Sequence, residues 1–492
     1  MSYGSLREFI LFLESKGQLK RIREPIAAEL ELTEVADRVV KAGGPALLFE
    51  NVTYRPIGEQ ESRPSPFPIA MNLYGSWQRM GWSLGVEDVE TVAHEIDAML
   101  KTQPPGSFFE KLKMLPKLAQ FAASTPKSVA RGPCQEVVME NPDLRRLPIP
   151  TCWPLDGGPY ITFANTITKD PDSGIRNVGL YRLQILGPRE AAMHWQIHKV
   201  GARHFSRAKE LGQKIEVAIS LGGDPILAYA ASAPLPDGVD EYLFAGLIRK
   251  KGIEMVRGQT ISLEVPASAD IVIEGYVDPN EPLVKEGPFG DHTGYYSLAD
   301  DYPRLHVTAI THRRDAIFPH TIVGVPPMED AFIGKASERI FLPMIRMNFP
   351  EIIDMHLPVE GAFHNLAIVS IKKQYPGHAR KIMHSLWGTG QLMFTKCALI
   401  VDHDVNVQNL KEVTWQVCAN LDPRRDMIFS EGPSDSLDHA SPTLNFGSKL
   451  GIDATRKWPG EAGAREWPPV IQMSAQVKQR IDSLWTKLGL KG

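Results

Sequence analysis

Near the start of the chain, apolar positions recur every three to four residues. Leu6, Phe9, Ile10 and Leu13 follow Ser5-Leu-Arg-Glu8, a capping box, and Gly17 ends the run, so the pattern predicts a helix. Leu19 to Ile22 then reads as a strand, Leu32 to Lys41 as a helix stopped by Gly43-Gly44-Pro45, Ala46 to Phe49 as a strand and Val86 to Leu100 as a third helix. The first hundred residues thus predict a small α+β unit. From about Pro148 to Arg313 the period falls to two. Tyr160 to Thr168, Asn177 to Ile185, Ile215 to Leu221, Ile261 to Val265, Ile271 to Val277 and Leu305 to His312 are β-branched runs separated by Gly, Pro and Asp. They predict a barrel or curled sheet, interrupted by short helices near Phe205 to Leu211 and Glu241 to Arg249. The last third alternates: strand Ala367 to Ile371, helix His378 to Trp387, strand Ala398 to Val401, helix Leu410 to Leu421 and strand Met427 to Phe429. That is βαβαβ, an α/β domain. Ser474 to Leu488 predicts a terminal helix with Ser474 as N-cap, of a kind that docks on another subunit. The resulting fold class is a multidomain α+β and α/β chain, divided at 1–115, 116–320 and 321–492.

One stretch fits none of these. Between Gly106 and Arg131, Phe108, Phe109, Leu112, Leu115, Leu118 and Phe121 alternate with Lys111, Lys113 and Lys117, and Pro116 interrupts. It reads either as a basic amphipathic segment touching a membrane surface or a greasy substrate, or as a linker helix packed on its own domain. Glu110 and the modest charge favour the linker.

Composition narrows the class. A chain of 492 residues exceeds what one core organises. Its 43% hydrophobic and 23% charged residues are those of a soluble globular protein. A net charge of -4 gives no reason to expect nucleic acid. No apolar run approaches the roughly 20 residues of a membrane span, and Met1 to Glu8 carries no signal-peptide core. The four cysteines, Cys134, Cys152, Cys397 and Cys418, show no CxxC spacing, which speaks against a disulfide framework or a zinc site and for a cytosolic setting.

The chemistry centres on Glu286-Gly-Pro-Phe-Gly-Asp291, continued by His292-Thr-Gly-Tyr-Tyr296. Gly287, Pro288, Gly290 and Gly294 preclude a helix and let a loop aim two acids and an imidazole into one cleft. One acid in an apolar cleft is expected to hold a proton near neutral pH while the other stays ionised. The plain alternative is a solvated turn. In Asn177-Val-Gly-Leu-Tyr-Arg182, alternation puts Asn177, Gly179 and Tyr181 on one face and Arg182 on the other, unless a bulge intervenes. Arg182 suits a substrate carboxylate, or pairs with a surface acid. Met193-His-Trp-Gln-Ile-His198-Lys199 offers two histidines, and with Asn177 and Glu241 one of them would make a mixed N/O site for Mn²⁺ or Mg²⁺. Lys396 and Lys449 are candidate phosphate holders, or parts of solvated loops. Gly388-Thr-Gly390 lacks the third glycine of a dinucleotide loop, His94-Glu95 is no zincin motif, and neither a Walker A sequence nor a GxSxG elbow occurs.

Together these segments resemble the UbiD family of decarboxylases, which use prenylated flavin mononucleotide. The resemblance rests on Gly43-Gly-Pro-Ala-Leu-Leu-Phe-Glu50, Thr151-Cys-Trp-Pro154, Asn177 to Arg182, Glu286 to Tyr296, Ile371-Lys-Lys-Gln-Tyr375, Asp404-Val-Asn406, Gly447-Ser-Lys449 and Asp453-Ala-Thr455-Arg-Lys-Trp-Pro-Gly-Glu461. It implies a central split β-barrel that binds the flavin and a C-terminal α/β oligomerisation domain. It implies an acid–arginine–acid triad of Glu286, Arg182 and Asp291. A manganese ion on the cofactor phosphate would be held by Asn177, His198 and Glu241, with His194 the rival to His198, and K⁺ is a second candidate cation. Tyr181, Arg182, Gln196 and Lys396 would contact the cofactor. The implied reaction is loss of CO₂ from 3-polyprenyl-4-hydroxybenzoate in ubiquinone synthesis through a covalent cofactor adduct, or the same chemistry on a soluble phenolic acid. Asp291 stands where members active on cinnamic-type acids have Glu, which argues for the hydroxybenzoate branch. The implied partners are a flavin prenyltransferase that makes the cofactor and further copies of the chain, as a dimer or hexamer. The implied location is the cytoplasm, with peripheral contact to the inner membrane.

Overall fold

The computed structural model describes residues 3–101, 119–461 and 466–489. The stretch carrying Phe108, Phe109, Leu112, Leu115 and Leu118 lies outside the described residues. Helix Leu6–Ser15 starts where the pattern placed it. The Ser5 hydroxyl accepts from the Glu8 amide at 3.2 Å, and Leu6, Phe9, Ile10 and Leu13 are buried. The third predicted helix begins later than expected, at Glu90, and a short unpredicted helix, Trp77–Ser83, precedes it. Leu19–Ile22, Ala46–Phe49 and Ile69–Met71 form a sheet whose fourth strand, Phe318–Pro319, arrives only after the chain has left the barrel.

The centre is a closed antiparallel barrel of six strands: β1 (Tyr160–Lys169), β2 (Arg176–Gly187), β3 (Glu190–Met193), β4 (Ile215–Leu221), β5 (Ile271–Val277) and β6 (Arg304–His312). The hydrogen-bonded order is β3-β2-β1-β4-β5-β6, and β3 pairs back onto β6 through Glu190↔His306 and Ala192↔Arg304. Closure leaves those strands without open edges. Alternation explains the packing. Val217, Ile219 and Leu221 of β4 join Ile271, Ile273 and Val277 of β5 and Leu305 and Val307 of β6 in one buried cluster. The strand expected at Ile261 to Val265 is displaced. Glu264–Pro266 pairs outside the barrel with Glu254–Arg257, because the chain before it turns around the Glu274 carboxylate, which accepts the Gln259 and Thr260 amides at 2.8 and 2.7 Å.

The C-terminal sheet has the order Ile352–His356, Leu366–Ile371, Cys397–Asp402, Phe446–Asp453, Met427–Pro433. Its helices His378–Trp387 and Leu410–Asn420 match expectation. Its third parallel strand does not. Met427–Pro433 is an antiparallel edge, and Phe446–Asp453 takes the parallel place beside Cys397–Asp402. Gly447 and Gly451 hide that strand in the sequence, since glycine carries no strand preference. The 20-residue helix Glu329–Asn348 was not foreseen either. Interior Pro343 and the polar Glu338 and Arg339 blur its stripe, yet it buries Ile333, Ile340 and Phe341 in a cluster shared with the N-terminal unit and the barrel. Among the described residues, no helix is long and apolar enough to cross a membrane.

Candidate active site

Strands β2 and β1 pair regularly to Tyr181↔Ala164 and resume at Leu183↔Ile161. Arg182 therefore stands opposite both Thr162 and Phe163. The extra residue lies on β1, so alternation along β2 is kept, and Arg182 and Gln184 reach the same loop from one face. The Arg182 guanidinium donates from Nε and Nη2 to the two oxygens of Glu286 at 2.8 and 3.1 Å, from Nη1 to Asp291, and from Nη2 to Ser297 Oγ at 3.3 Å. It lies 4.7 Å over the Phe289 ring. Glu286 is 0% exposed and Asp291 6%. Arg182 thus joins two buried acids rather than pairing with a surface one, and the Glu286 loop is not a solvated turn.

The loop is held from outside. Glu286 ends strand Val284–Glu286, Gly287 turns the chain with φ +99°, and Gly290 bridges Tyr296. A Cβ on Gly290 would run into the Trp153 ring, whose Nε1 donates to Val323 O at 2.8 Å. The Asp156 carboxylate accepts the amides of Gly290, Trp153 and Cys152 at 2.8, 2.9 and 3.1 Å. From the barrel, Gln184 Oε1 accepts the Gly287 amide at 2.8 Å. Sequence reasoning gave no role to Asp156, Gln184 or Ser297. Their signal was faint, since only Thr151-Cys-Trp-Pro154 marked that neighbourhood.

The two histidines of the 193–199 segment part company. His194 Nδ1 lies 3.0 Å from Glu286 Oε2 and its ring packs on Tyr302 at 4.4 Å. The His198 ring faces Phe394 of the C-terminal domain at 5.3 Å. On the other side of the triad, His292 Nδ1 lies 2.9 Å from Asp291 Oδ1.

Charge follows geometry. Burial would raise the Glu286 carboxyl, but the Arg182 charge and the bonds from His194 and Arg182 hold it down to about 2. Burial opposes ionisation of Asp291 as well, yet Arg182 and His292 hold it well below the carboxylate range. Burial would lower His292, and its bond to Asp291 instead brings it up to about 9. Burial, then Arg182, lowers His194. The expectation of one protonated and one ionised acid is therefore corrected: a guanidinium between the two carboxylates keeps both ionised.

The side chains expected to hold a cation form a second set. Glu241 opens helix Glu241–Arg249, its Oε2 accepts the Val178 amide at 2.8 Å, and burial pushes its carboxyl up to about 7. The buried side-chain nitrogens Asn177 Nδ2, Gln196 Nε2 and His198 Nε2 have no hydrogen-bond partner. A buried carboxyl raised that far, and buried amide and imidazole nitrogens without partners, fit a bound cation and an anionic cofactor, which would supply the missing charge and partners. Lys396 stands apart from this group, with Nζ 2.6 Å from the Asp438 carboxylate. Lys449 is a satisfied core lysine: it donates to the carbonyls of Met393 and Pro433 at 2.5 and 2.6 Å, and burial brings it down to about 8.

Known proteins match the chain along nearly its whole length. The 3-octaprenyl-4-hydroxybenzoate carboxy-lyase N-terminal domain matches residues 10–99, the Rift-related domain of that enzyme 127–326 and its C-terminal domain 331–454. An uncharacterized protein of Aquifex aeolicus strain VF5 is 53% identical over 492 residues, covering 99% of each chain. One of Archaeoglobus fulgidus is 50% identical over 490 residues, again 99% of each. Among solved structures, the closed form of vanillic acid decarboxylase from Sedimentibacter hydroxybenzoicus has a TM-score of 0.84 at 26% identity, covering 99% of both chains. The UbiD-class enzyme HmfF of Pelotomaculum thermopropionicum, solved with FMN, has a TM-score of 0.75 at 31% identity, covering 94% of this chain and 97% of that one. An evolved dimeric HmfF with prenylated FMN has a TM-score of 0.74 at 29% identity, covering 97% and 98%. A six-stranded barrel within a chain matched along its length by these domains and structures defines a carboxy-lyase of aromatic acids. The chain belongs to the UbiD family of prenylated-FMN decarboxylases.

Proposed function

We propose that the chain removes CO₂, without net oxidation, from an aryl acid bearing a para-hydroxyl, and that 3-polyprenyl-4-hydroxybenzoate is its substrate, giving the 2-polyprenylphenol of ubiquinone synthesis. The observation that carries the reaction is the Arg182 fork closed on Glu286 and beside Asp291 in a buried cleft. The descriptions of the matching domains support the prenylated substrate.

In this reading Tyr181, Arg182, Gln196 and Lys396 would hold prenylated FMN. Asn177, Glu241 and His198 would hold Mn²⁺, with K⁺ the alternative or additional cation, to offset the negative charge of the cofactor. When bound, the cofactor supplies an electron sink for the pair left on the ring carbon as CO₂ departs, which no side chain provides. The remaining work belongs to the chain. The substrate carboxylate competes with Glu286 for the planar Arg182 fork. As the fork turns to the substrate, Glu286 stays buried without its counter-charge, so its carboxyl rises and takes up a proton from solvent. Asp291 keeps the far edge of Arg182 in place. After CO₂ leaves, Glu286 delivers that proton to the ring carbon, so one proton enters for each CO₂ released.

A soluble phenolic acid is the second reading, favoured by the TM-score of 0.84 to a vanillic acid decarboxylase. The test expresses the chain with and without a flavin prenyltransferase and offers 3-prenyl-4-hydroxybenzoate and vanillate. CO₂ from the prenylated acid in the co-expressed sample alone supports the first reading. Release from vanillate alone supports the second. Bound flavin with no CO₂ from either acid overturns both.

A further inference from the structure

Next to the acid–arginine–acid group, three side chains from distant segments converge. His292 lies on the 286–297 loop, His364 follows the turn Val359–Gly361, and Asp435 follows strand Met427–Pro433. One donor atom of each lies within 4.8 Å of the other two.

Each donor is tied on its outer side and free on its inner side. His292 Nδ1 lies 2.9 Å from the ionised Asp291 carboxylate, and its Nε2 is buried without a hydrogen bond and carries a proton that an entering cation displaces to solvent. His364 Nδ1 lies 2.6 Å from the Ala362 carbonyl, which can only accept, so that nitrogen carries the proton and Nε2 keeps its lone pair. That Nε2 is also buried without a hydrogen bond and lies 3.5 Å from Asp435 Oδ2. Asp435 Oδ1 accepts the Leu437 amide at 2.9 Å, which leaves Oδ2 for the cluster. An imidazole whose Nδ1 is fixed by an oxygen acceptor is the usual outer-shell arrangement of a metal-ligating histidine. The backbone is also committed to the site. Ala362 and Phe363 hold φ of +48° and +46°, a costly conformation for non-glycine residues, and the Phe363 ring stacks on His292 at 5.2 Å.

We propose that His292, His364 and Asp435 bind a borderline divalent cation, Zn²⁺ by their chemistry, at a site distinct from the Asn177–Glu241 group. Two imidazoles and one carboxylate suit Zn²⁺ over Mg²⁺, and three protein ligands leave a fourth position open. Zinc bonds of about 2.0–2.2 Å require the donors to draw together by roughly 1 Å, within the reach of side-chain rotation. The bound ion ties the loop that carries Glu286 and Asp291 to two segments of the C-terminal domain. It thereby fixes the loop against that domain.

The test is titration of the full-length, cofactor-loaded enzyme, stripped with a chelator, with Co²⁺ alone. A tetrahedral two-histidine site gives an intense visible cobalt band, which an octahedral oxygen-rich site does not. The wild type should show that band saturating at one equivalent per chain. His364→Ala and the isosteric Asp435→Asn should lose it or bind at least tenfold more weakly, and Glu241→Gln should keep it. Absence of the band in the wild type, or its persistence at unchanged affinity in folded Asp435→Asn, overturns the site.

Discussion

Arg182, Glu286 and Asp291 form a buried group with one positive and two negative charges, so removing the guanidinium leaves two acids uncompensated in a place with little water. Arg182→Ala should cost about 3–5 kcal/mol of stability, the usual penalty for breaking a buried pair, read as a lower urea midpoint. A loss under about 1 kcal/mol would mean that water reaches the acids. Glu286→Gln keeps the shape and removes the proton carrier. It should retain the flavin spectrum and lose about 10²–10⁴-fold in turnover, with no solvent deuterium in the product. Retained deuterium exchange would take Glu286 out of that role. The sign of the pH effect follows from the depressed Glu286 carboxyl, about 2 folded against about 4.3 unfolded. Its contribution, about 3 kcal/mol, is full above the unfolded value and is lost as pH falls from about 4 toward 2. Glu286→Gln should therefore flatten that part of the stability–pH curve, and an unchanged slope would contradict the depressed carboxyl. At this scale the sequence displayed the reactive groups as motifs and concealed their protonation. A guanidinium set between two carboxylates reverses the effect of burial, and spacing along a chain does not reveal what lies between.

The elements that aim these groups are a strand and a loop. Alternation along β2 puts Arg182 on the face opposite Tyr181, where Gln184 also meets the loop. The loop depends on close approach. Gly290→Ala forces a methyl into the Trp153 ring and should cost about 1–3 kcal/mol, as overpacking does, read in the thermal midpoint. Adding Trp153→Ala should recover part of that loss, and no recovery would place the strain elsewhere. Long strands rich in β-branched and aromatic residues, such as Tyr160–Lys169 and Ile271–Val277, were legible in the sequence. Glu190–Met193, which closes the barrel, was not, because a four-residue run carries too little period to register.

At the scale of the molecule, the N-terminal unit, the barrel and helix Glu329–Asn348 share buried clusters, whereas the C-terminal sheet packs in two of its own. Helix Ala475–Leu484 and the turn after it bury nothing in the monomer. Val477, Ile481, Trp485 and Leu488 stay exposed at helical spacing, a stripe suited to a second copy. Truncation after residue 468 should lower the mass in solution by light scattering, and an unchanged mass would discard that helix as an assembly contact. The sequence by itself determined most strands of the barrel and displayed Arg182, Glu286 and Asp291 within motifs, because periodicity and motif are local properties of a chain. Tertiary structure alone decided which histidine serves Glu286, that both acids are ionised, and that His292, His364 and Asp435 meet. Those facts depend on distances between segments roughly 70 to 140 residues apart in the chain, which only the folded core brings together.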